Sequence, residues 1–313
     1  GREVDPYEIM ATNQYHSNLT SYTGTHLAIS EASASEVWYT QKMDYVLEYE
    51  QNNYQTQRPV SFSSWPTLDP LEHIEEEFND EDTSSIDLSK IQLRNAPAGI
   101  FVSYHAYPYY PDFVSRQSSY QPYYDNYGPN SYLGYLTELK AHYEGIPLII
   151  AEFGVPSSWG VAHYASSGMN HGGFDEESQG ETDIRILKSI EATGCGGGFQ
   201  FAWMDEWFKR TWLTDHIDFP GDRRIQWHNV TAAEQNFGLL AFTKESVFEE
   251  VGNFGQDSKI QSIKVGSNYT FLEVEIALKD ELDVPDVMWV ALDTYLDALG
   301  ESILPNGQQL EHR

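Results

Sequence analysis

Four short apolar runs in this sequence each end in side chains that can do chemistry. The run at 147–151 is almost wholly apolar and is followed at once by Glu152. A carboxylate in that position is costly to desolvate unless it is hydrogen-bonded or used in a reaction. Glu152 is therefore the leading candidate for a catalytic residue, and a plain structural ion pair with Arg or His is the competing interpretation.

A second carboxylate is needed if Glu152 takes part in glycoside hydrolysis. Enzymes that retain anomeric configuration hold two carboxyl groups about 5 to 5.5 Å apart. The candidate partner is Glu3 in residues 1–6 (GREVDP), which we interpret as the end of a strand whose body lies before residue 1. A frayed terminal carboxylate is the alternative interpretation of Glu3.

The ends of the other runs carry aromatic, acidic and histidine side chains, which suit the stacking and hydrogen bonding of sugars. The side chains that we expect to contact substrate are Trp65, Asp69, Tyr104, His105, Tyr107, Trp203, Asp205, Glu206 and Trp207. Within this set, we expect Tyr104, His105 and Tyr107 to hydrogen-bond and orient Glu152. A solvated acidic loop explains Asp205 and Glu206 equally well. The long loop at 157–181 is either an active-site lid or plain surface.

Strand-like and helical patterns alternate along most of the chain. Apolar runs predict strands at 58–65, 99–104, 146–153 and 198–203, and 3.6-residue periodicity predicts helices at 35–50, with Ser35 as N-cap, 130–143 and 182–192. Repeated strand–helix units predict a parallel α/β sheet or barrel, whose chemistry gathers at the carboxyl ends of the strands.

After about residue 250 the pattern changes to alternation of apolar and polar residues, which predicts antiparallel strands at 269–278 and 287–295. The predicted domains are therefore 1–250 and an all-β, sandwich-like module at 251–313.

Composition excludes several classes of function. The chain has 313 residues with 48 Asp and Glu against 18 Lys and Arg, a formal charge of −30, which repels nucleic acid. The single cysteine, Cys195, excludes an internal disulfide framework, and no apolar run approaches the roughly 20 residues of a membrane helix. We expect an extracellular or periplasmic protein, and a chain that starts at Gly1 without Met is expected to be a processed or truncated piece.

No motif for a metal, a phosphate or a serine nucleophile stands out. The ten histidines are scattered, no pair has the spacing of a zinc hydrolase helix, and the glycines at 194–198 precede a strand rather than open a helix. The acidic run at 279–286 matches no EF-hand and is interpreted as a solvated turn. We expect neither a metal nor a cofactor.

Several segments resemble one enzyme family. The sequence is similar to the C-terminal part of a clan A retaining glycoside hydrolase, and most similar to a poorly characterised bacterial branch. The similar segments are GREVDP (1–6), SWPTLDPL (64–71), YHAYPYYP (104–111), AEFG (151–154) and WMDEWFK (203–209). The resemblance covers about residues 1–245. It implies a partial (β/α)8 TIM barrel with about strands four to eight, Glu3 as acid/base, Glu152 as nucleophile and Trp203 as the hydrophobic platform beneath the sugar.

Arg2 is a departure from the family, which usually has Asn immediately before the acid/base to contact the substrate 2-hydroxyl. Arg donates hydrogen bonds but cannot accept one. We expect Arg2 to contact substrate in an altered way, unless Glu3 is not the acid.

The predicted function is a retaining glycoside hydrolase that acts on β-linked glycans by double displacement. The alternatives are a transglycosylase and a non-catalytic carbohydrate-binding barrel or glycan-processing subunit. The C-terminal module resembles the start of a carbohydrate-binding sandwich. Because a barrel without its first strands has open edges, we expect residues 1–313 alone to have little or no activity.

Overall fold

The computed structural model describes residues 3–78, 81–213, 228–240, 246–252, 254, 256–268, 270–281, 288, 290, 303 and 307. The chain divides into two compact units, residues 1–244 and 245–313. Arg2 and the segment 214–227 lie outside the described residues.

The first unit is a mixed α/β structure. In chain order its elements are α1 (Pro6–Tyr15), β1 (Tyr22–Thr23), β2 (Leu27–Ile29), α2 (Ala34–Tyr54), β3 (Ser63–Ser64), β4 (Gln92–Leu93), β5 (Val102–His105), α3 (Asp112–Arg116), β6 (Tyr124–Asp125), β7 (Gly128–Pro129), α4 (Ser131–His142), β8 (Leu148–Phe153), α5 (Glu176–Ala192) and β9 (Gly198–Gln200). Strands β1, β2 and β4 form a small antiparallel sheet, and β6 pairs with β7.

A four-stranded parallel sheet positions the chemistry. Its strands lie side by side in the order β3, β5, β8 and β9, and each overlaps one of the four predicted apolar runs, with β5 ending one residue beyond its run. The prediction of a parallel α/β sheet is confirmed, although among the described residues this sheet is open and does not close into a barrel. Its register pairs His105 at the end of β5 with Glu152 near the end of β8, so their side chains leave the same edge of the sheet.

The predicted N-cap of one helix and the predicted start of another were wrong, and capping explains both. Helix α2 begins after Ser33 rather than at Ser35, because Ser33 and Glu36 form a reciprocal capping box: each side chain accepts from the other's backbone N–H. Helix α5 begins after Asp175, whose side chain accepts from Ser178 N at 2.8 Å. Its polar first turn hides the periodicity that becomes visible only near Thr182.

Tyrosine dominates the core of the first unit. Five tyrosine side chains are almost wholly enclosed, namely Tyr104, Tyr120, Tyr132, Tyr135 and Tyr143. Buried hydroxyls need partners, and the Tyr104 and Tyr143 hydroxyl oxygens lie 3.2 Å apart, while Tyr132 donates to the Ala106 carbonyl oxygen at 2.9 Å. The segment after β5 is therefore held to α4 by hydrogen bonds as well as by packing.

The second unit contains an antiparallel sheet in the order β10 (Val247–Glu250), β11 (Ile260–Ser267) and β12 (Leu272–Leu278). The predicted strand at 269–278 corresponds to β12, whereas β10 and β11 were not predicted. Only residues 288 and 290 of the predicted strand at 287–295 are described, and most of the acidic run at 279–286 also lies outside the described residues. Throughout the described ranges, every helix is too short or too polar to cross a membrane.

Candidate active site

A cleft of about 700 Å³ opens at the carboxyl ends of the parallel strands. Of the residues expected to contact substrate or to catalyse, five line it: Glu3, Trp65, His105, Tyr107 and Glu152. Aromatic, histidine, carboxylate and lysine side chains from other segments complete its walls. This is the size and composition of a site for a polar ring-shaped ligand.

Glu3, His105 and Glu152 form a compact group at the base of the cleft. His105 Nδ1 lies 3.0 Å from Glu3 Oε1 and 3.5 Å from Glu152 Oε2, and the ligand atoms of all three lie within 4.8 Å of one another. Tyr107 donates its hydroxyl hydrogen to Glu152 Oε2 at 2.9 Å. The two carboxylates can therefore act on the two sides of one bond.

The pKa values of Glu152 and His105 are both raised, for different reasons. Burial raises the pKa of Glu152, and the charge of Glu3 adds to the rise, against the lowering effects of His105, the Tyr107 hydroxyl and Lys209. Burial alone lowers the pKa of His105, but its hydrogen bond to Glu3 and the charges of Glu152 and Glu3 outweigh burial and raise it. Glu152 and His105 thus each hold a proton more tightly than they would in isolation.

Glu3 is held in place by its neighbours in the chain. Asp5 caps helix α1 by accepting from Tyr7 N at 2.8 Å, and Trp65, just after β3, donates from Nε1 to the Val4 carbonyl oxygen at 3.1 Å. Val4 also packs against the hydrophobic core. These contacts fix the backbone on the C-terminal side of Glu3. A frayed terminus would lack such contacts.

Three parallel rings form one wall of the cleft, which we call the stacked wall: Tyr109, His171 and His163. The Tyr109 and His171 ring centroids lie 4.5 Å apart, those of His171 and His163 lie 5.6 Å apart, and the three ring planes agree within 13°. Burial, with the neighbouring His171 second, lowers the pKa of His163 to about 4. The His163 ring is therefore neutral at pH 7 and offers a flat, uncharged face.

A carboxylate–lysine pair lies beside this wall. Lys209 Nζ lies 2.8 Å from Glu206 Oε2, 3.7 Å from Glu234 Oε2 and 4.3 Å from the centroid of the Phe201 ring. Glu234 Oε1 in turn lies 3.0 Å from His171 Nε2. Burial raises the pKa of Glu234, but His171 and Lys209 outweigh it, so the pKa is lowered and Glu234 is ionised at neutral pH.

Two residues expected in the site lie in the core. Tyr104 is fully enclosed and its hydroxyl faces Tyr143. Asp69 is 1% exposed, and its carboxylate accepts from the Tyr135 hydroxyl at 2.9 Å and lies 3.0 Å from His73 Nε2. Neither lines the cleft, because both side chains point into the packing between β5, α4 and the loop after β3.

The segment after β9 also departs from expectation. Strand β9 ends at Gln200, before the predicted end at 203, so Phe201 faces the cleft while Trp203 is 66% exposed outside it. The three aromatic or acidic residues that follow, Asp205, Glu206 and Trp207, do not line the cleft either. Asp205 accepts from Gly238 N at 2.9 Å, Glu206 pairs with Lys209, and Trp207 stacks on the His228 ring at 5.2 Å.

Several residues that line the cleft were not predicted as site residues. Tyr109 could have been predicted from the sequence, because it lies in the same segment as Tyr107. Glu234 gave no signal, since it lies in a 3-10 turn (Ala233–Gln235) that follows no apolar run. His163 and His171 come from the long loop after Glu152, which the cleft uses as a wall.

Within the described ranges, Glu3, His105 and Glu152 are also close enough together to bind a metal ion jointly. The same atoms are engaged with one another, since His105 Nδ1 lies at hydrogen-bonding distance from Glu3. We therefore describe them as a proton-sharing group.

Comparisons with known proteins give no family assignment. No protein-family model and no curated protein matches the chain. Among solved structures, a β-glucuronidase 2 of Bacteroides uniformis, covalently bound to a cyclophellitol-type aziridine, aligns at a TM-score of 0.34 and 13% identity over 68% of this chain and 19% of that one. An active-site mutant of a Rhizomucor miehei β-1,3-glucanosyltransferase with laminaritriose aligns at a TM-score of 0.28 and 13% identity over 64% of this chain and 53% of that one. TM-scores this low do not establish a shared fold.

Proposed function

We propose that this protein is a retaining glycoside hydrolase that acts on β-linked glycans by double displacement. The observation that carries this is the approach of Glu3 and Glu152 to within 4.8 Å, oxygen to oxygen, in a cleft walled by aromatic rings. Retaining enzymes hold their carboxyl groups about 5 to 5.5 Å apart, whereas inverting enzymes need about 6.5 to 9.5 Å to admit a water molecule.

The surroundings of each carboxylate support its role. Glu152 attacks the anomeric carbon, and the Tyr107 hydrogen bond keeps one carboxylate oxygen fixed. Glu3 protonates the departing oxygen, and then takes a proton from the water that hydrolyses the glycosyl-enzyme. His105 lies between them and holds Glu3 by a 3.0 Å contact, so the proton that the first step consumes is shared between these two groups.

We further propose that the parallel sheet is the C-terminal half of a (β/α)8 barrel. Its four strands follow one another in chain order, and apart from Glu3 the residues in the cleft come from the carboxyl ends of the strands or the loops that follow, as in barrel enzymes. The acidic composition supports an extracellular setting, and the second unit is proposed to bind carbohydrate.

Transglycosylation is the second candidate, because it shares the glycosyl-enzyme and differs only in its acceptor. The stacked wall favours transglycosylation, because flat rings can bind an acceptor sugar in place of water. Product analysis at low acceptor glycoside concentration, where water is in large excess, distinguishes the two: a predominance of transfer products would indicate the transglycosylase, and a predominance of free sugar the hydrolase.

Covalent trapping tests the nucleophile. The full-length protein is incubated with 2-deoxy-2-fluoro β-glycosides of several sugars that carry a good leaving group, and its peptides are analysed by mass spectrometry. We expect one label, on Glu152, and none in Glu152→Gln. Glu206→Gln serves as the matched control, since Glu206 is acidic and nearby but outside the cleft. Glycan binding with no label would instead support the non-catalytic barrel.

Azide rescue separates the two roles. In Glu152→Gly, azide enters from the face of the missing nucleophile and gives the α-glycosyl azide. In Glu3→Gly, it attacks the glycosyl-enzyme from the opposite face and gives the β-glycosyl azide. The same anomer from both variants, or no rescue of either, would refute the assignment.

A further inference from the structure

We infer that Glu234 is a specificity-determining residue of this site, whose carboxylate accepts hydrogen bonds from hydroxyl groups of the sugar ring that Glu152 attacks. This inference rests on the proposed function. It assigns to the cleft a neutral, hydroxyl-rich sugar, and it disfavours uronic acids.

The backbone that carries Glu234 is fixed to the segment after β9. Gln235 donates from Nε2 to the Lys209 carbonyl oxygen at 3.0 Å, and its own carbonyl accepts from Glu206 N at 3.0 Å. The neighbouring side chains Ala233, Gln235 and Phe237 are buried. A carboxylate on such a segment keeps its position without a ligand, which is the requirement for selective recognition.

The Glu234 carboxylate is ionised and still has acceptor capacity. His171 approaches Oε1 and Lys209 approaches Oε2, and these contacts hold the group in its charged form. A carboxylate has about four lone-pair positions. The side chain remains 31% exposed, so positions facing the cleft are open to hydroxyl donors.

Glu234 lies near the reacting group. Tyr107, which donates to Glu152, has its ring centroid 5.5 Å from that of Tyr109, and the Tyr109 centroid lies 4.5 Å from that of His171. His171, the direct partner of Glu234, belongs to the stacked wall, against which a sugar ring can lie. A ring placed there would present its edge hydroxyls to Glu234.

Charge decides which class of sugar fits. The described lining contains four acidic side chains, Glu3, Glu81, Glu152 and Glu234, of which Glu81 is only partly ionised at neutral pH because burial raises its pKa to about 7. It also contains one lysine, Lys209, which is already paired with Glu206 and Glu234. A carboxylate only accepts hydrogen bonds, and it repels another carboxylate held at the same place. Hydroxyl groups satisfy Glu234, whereas a uronate would not.

The test is a coupling measurement between protein and substrate. With the full-length protein and aryl β-glycosides of the sugar it cleaves best, kcat/KM is compared for the parent and for 3-, 4- and 6-deoxy analogues. We expect at least one deoxy analogue to lose about 10- to 100-fold in the natural protein, as for a hydrogen bond to a charged group. In Glu234→Ala the ratio of kcat/KM for the parent to that for the deoxy analogue should fall to nearly one. In Glu234→Gln this ratio should lie between the values of the natural protein and of Glu234→Ala.

Glu206→Ala is the matched control. Glu206 also pairs with Lys209 but lies outside the cleft, so this variant disturbs Lys209 while keeping the acceptor, and the full deoxy loss should remain. A uniform fall across all analogues in the Glu234 variants, or the same change in Glu206→Ala, would overturn the inference and leave hydrolysis standing. Absence of both turnover and labelling in the natural protein would overturn both. If Glu234→Ala does not fold, Glu234→Gln decides alone.

Discussion

Tyr107 holds the Glu152 carboxylate by a hydrogen bond of 2.9 Å, and this bond favours the ionised form. Removing the hydroxyl in Tyr107→Phe should raise the pKa of Glu152 further, because burial and the charge of Glu3 then meet less opposition. The nucleophile must be ionised, so the acidic limb of the kcat/KM profile should move to higher pH, by about one unit.

Tyr104→Phe is the matched control for this pH profile. It also removes a buried hydroxyl near the end of β5, but one that faces Tyr143 rather than Glu152. An unchanged acidic limb in Tyr107→Phe, or an equal shift in both variants, would show that the Tyr107 hydroxyl does not control the ionisation of Glu152.

Asp69 was expected to contact substrate, but the structure places it in the core. Its carboxylate and the His73 imidazole are both fully enclosed and 3.0 Å apart. Burial alone lowers the pKa of His73, but Asp69 outweighs burial and raises it. In Asp69→Asn this pairing is lost, and the free energy of unfolding should fall by about 3 kcal/mol in denaturant titrations. A raised KM with unchanged stability would instead make Asp69 a substrate contact.

At the level of elements, α5 ties together the ends of β8 and β9. Asp183 accepts from Val155 N at 2.9 Å and from Gln200 Nε2 at 2.7 Å, just beyond Glu152 and just before Phe201. Gly154, which lies between Glu152 and Val155 in the chain, has φ +151°, and a Cβ there would lie 2.6 Å from the Phe201 carbonyl oxygen. The close approach of the two chain segments thus depends on a glycine and on one buried carboxylate.

Asp183 should make stability fall as pH rises. Burial outweighs its two hydrogen bonds and raises its pKa to about 7. A raised folded-state pKa stabilises fully below the unfolded value near 4, and this contribution is lost as pH rises through about 7. Relative to Asp183→Asn, the free energy of unfolding of the natural protein should therefore fall between pH 4 and pH 7, by at most about 4 kcal/mol.

A second aspartate on the same helix provides the control for that measurement. The hydrogen bond from Ser178 lowers the pKa of the N-cap Asp175, so its contribution has the opposite sign and is lost as pH falls. Parallel pH dependences for Asp183→Asn and Asp175→Asn would contradict the assignment to the buried carboxylate.

The sequence predicted elements whose formation depends on local pattern. The four parallel strands lie in apolar stretches of the chain, as expected where both faces of a sheet are covered. Helix α4 was located to within one residue because Asn130 caps it, accepting from Leu133 N at 3.0 Å. Strand ends led to Glu152, His105 and Tyr107. The position of Glu234 depends on hydrogen bonds between distant segments, and the position of Trp203 depends on where β9 ends. Neither of these determinants is visible as a local pattern in the sequence.

At the level of the whole molecule, 48 acidic against 18 basic residues produce a formal charge of −30. Self-repulsion of this size destabilises the compact state, and salt screens it because the Debye length falls from about 30 Å at 0.01 M to about 3 Å at 1 M. The melting temperature should therefore rise by a few degrees, roughly 2–4 °C per kcal/mol, as NaCl is raised over this range. Thermal unfolding at several salt concentrations, with NaCl and KCl compared, checks this, and a constant or falling melting temperature would contradict it.

The tyrosine-rich core also gives the protein an optical signature. Burial raises the pKa of Tyr104, Tyr132 and Tyr135 well above the ordinary value, whereas Tyr15 and Tyr54 lie mostly in solvent. In an alkaline titration followed by ultraviolet absorbance, the enclosed phenols absorb as phenolates only after the chain opens. The pH at which their absorbance appears is therefore a label-free measure of whether the packing between the sheet and α4 is intact.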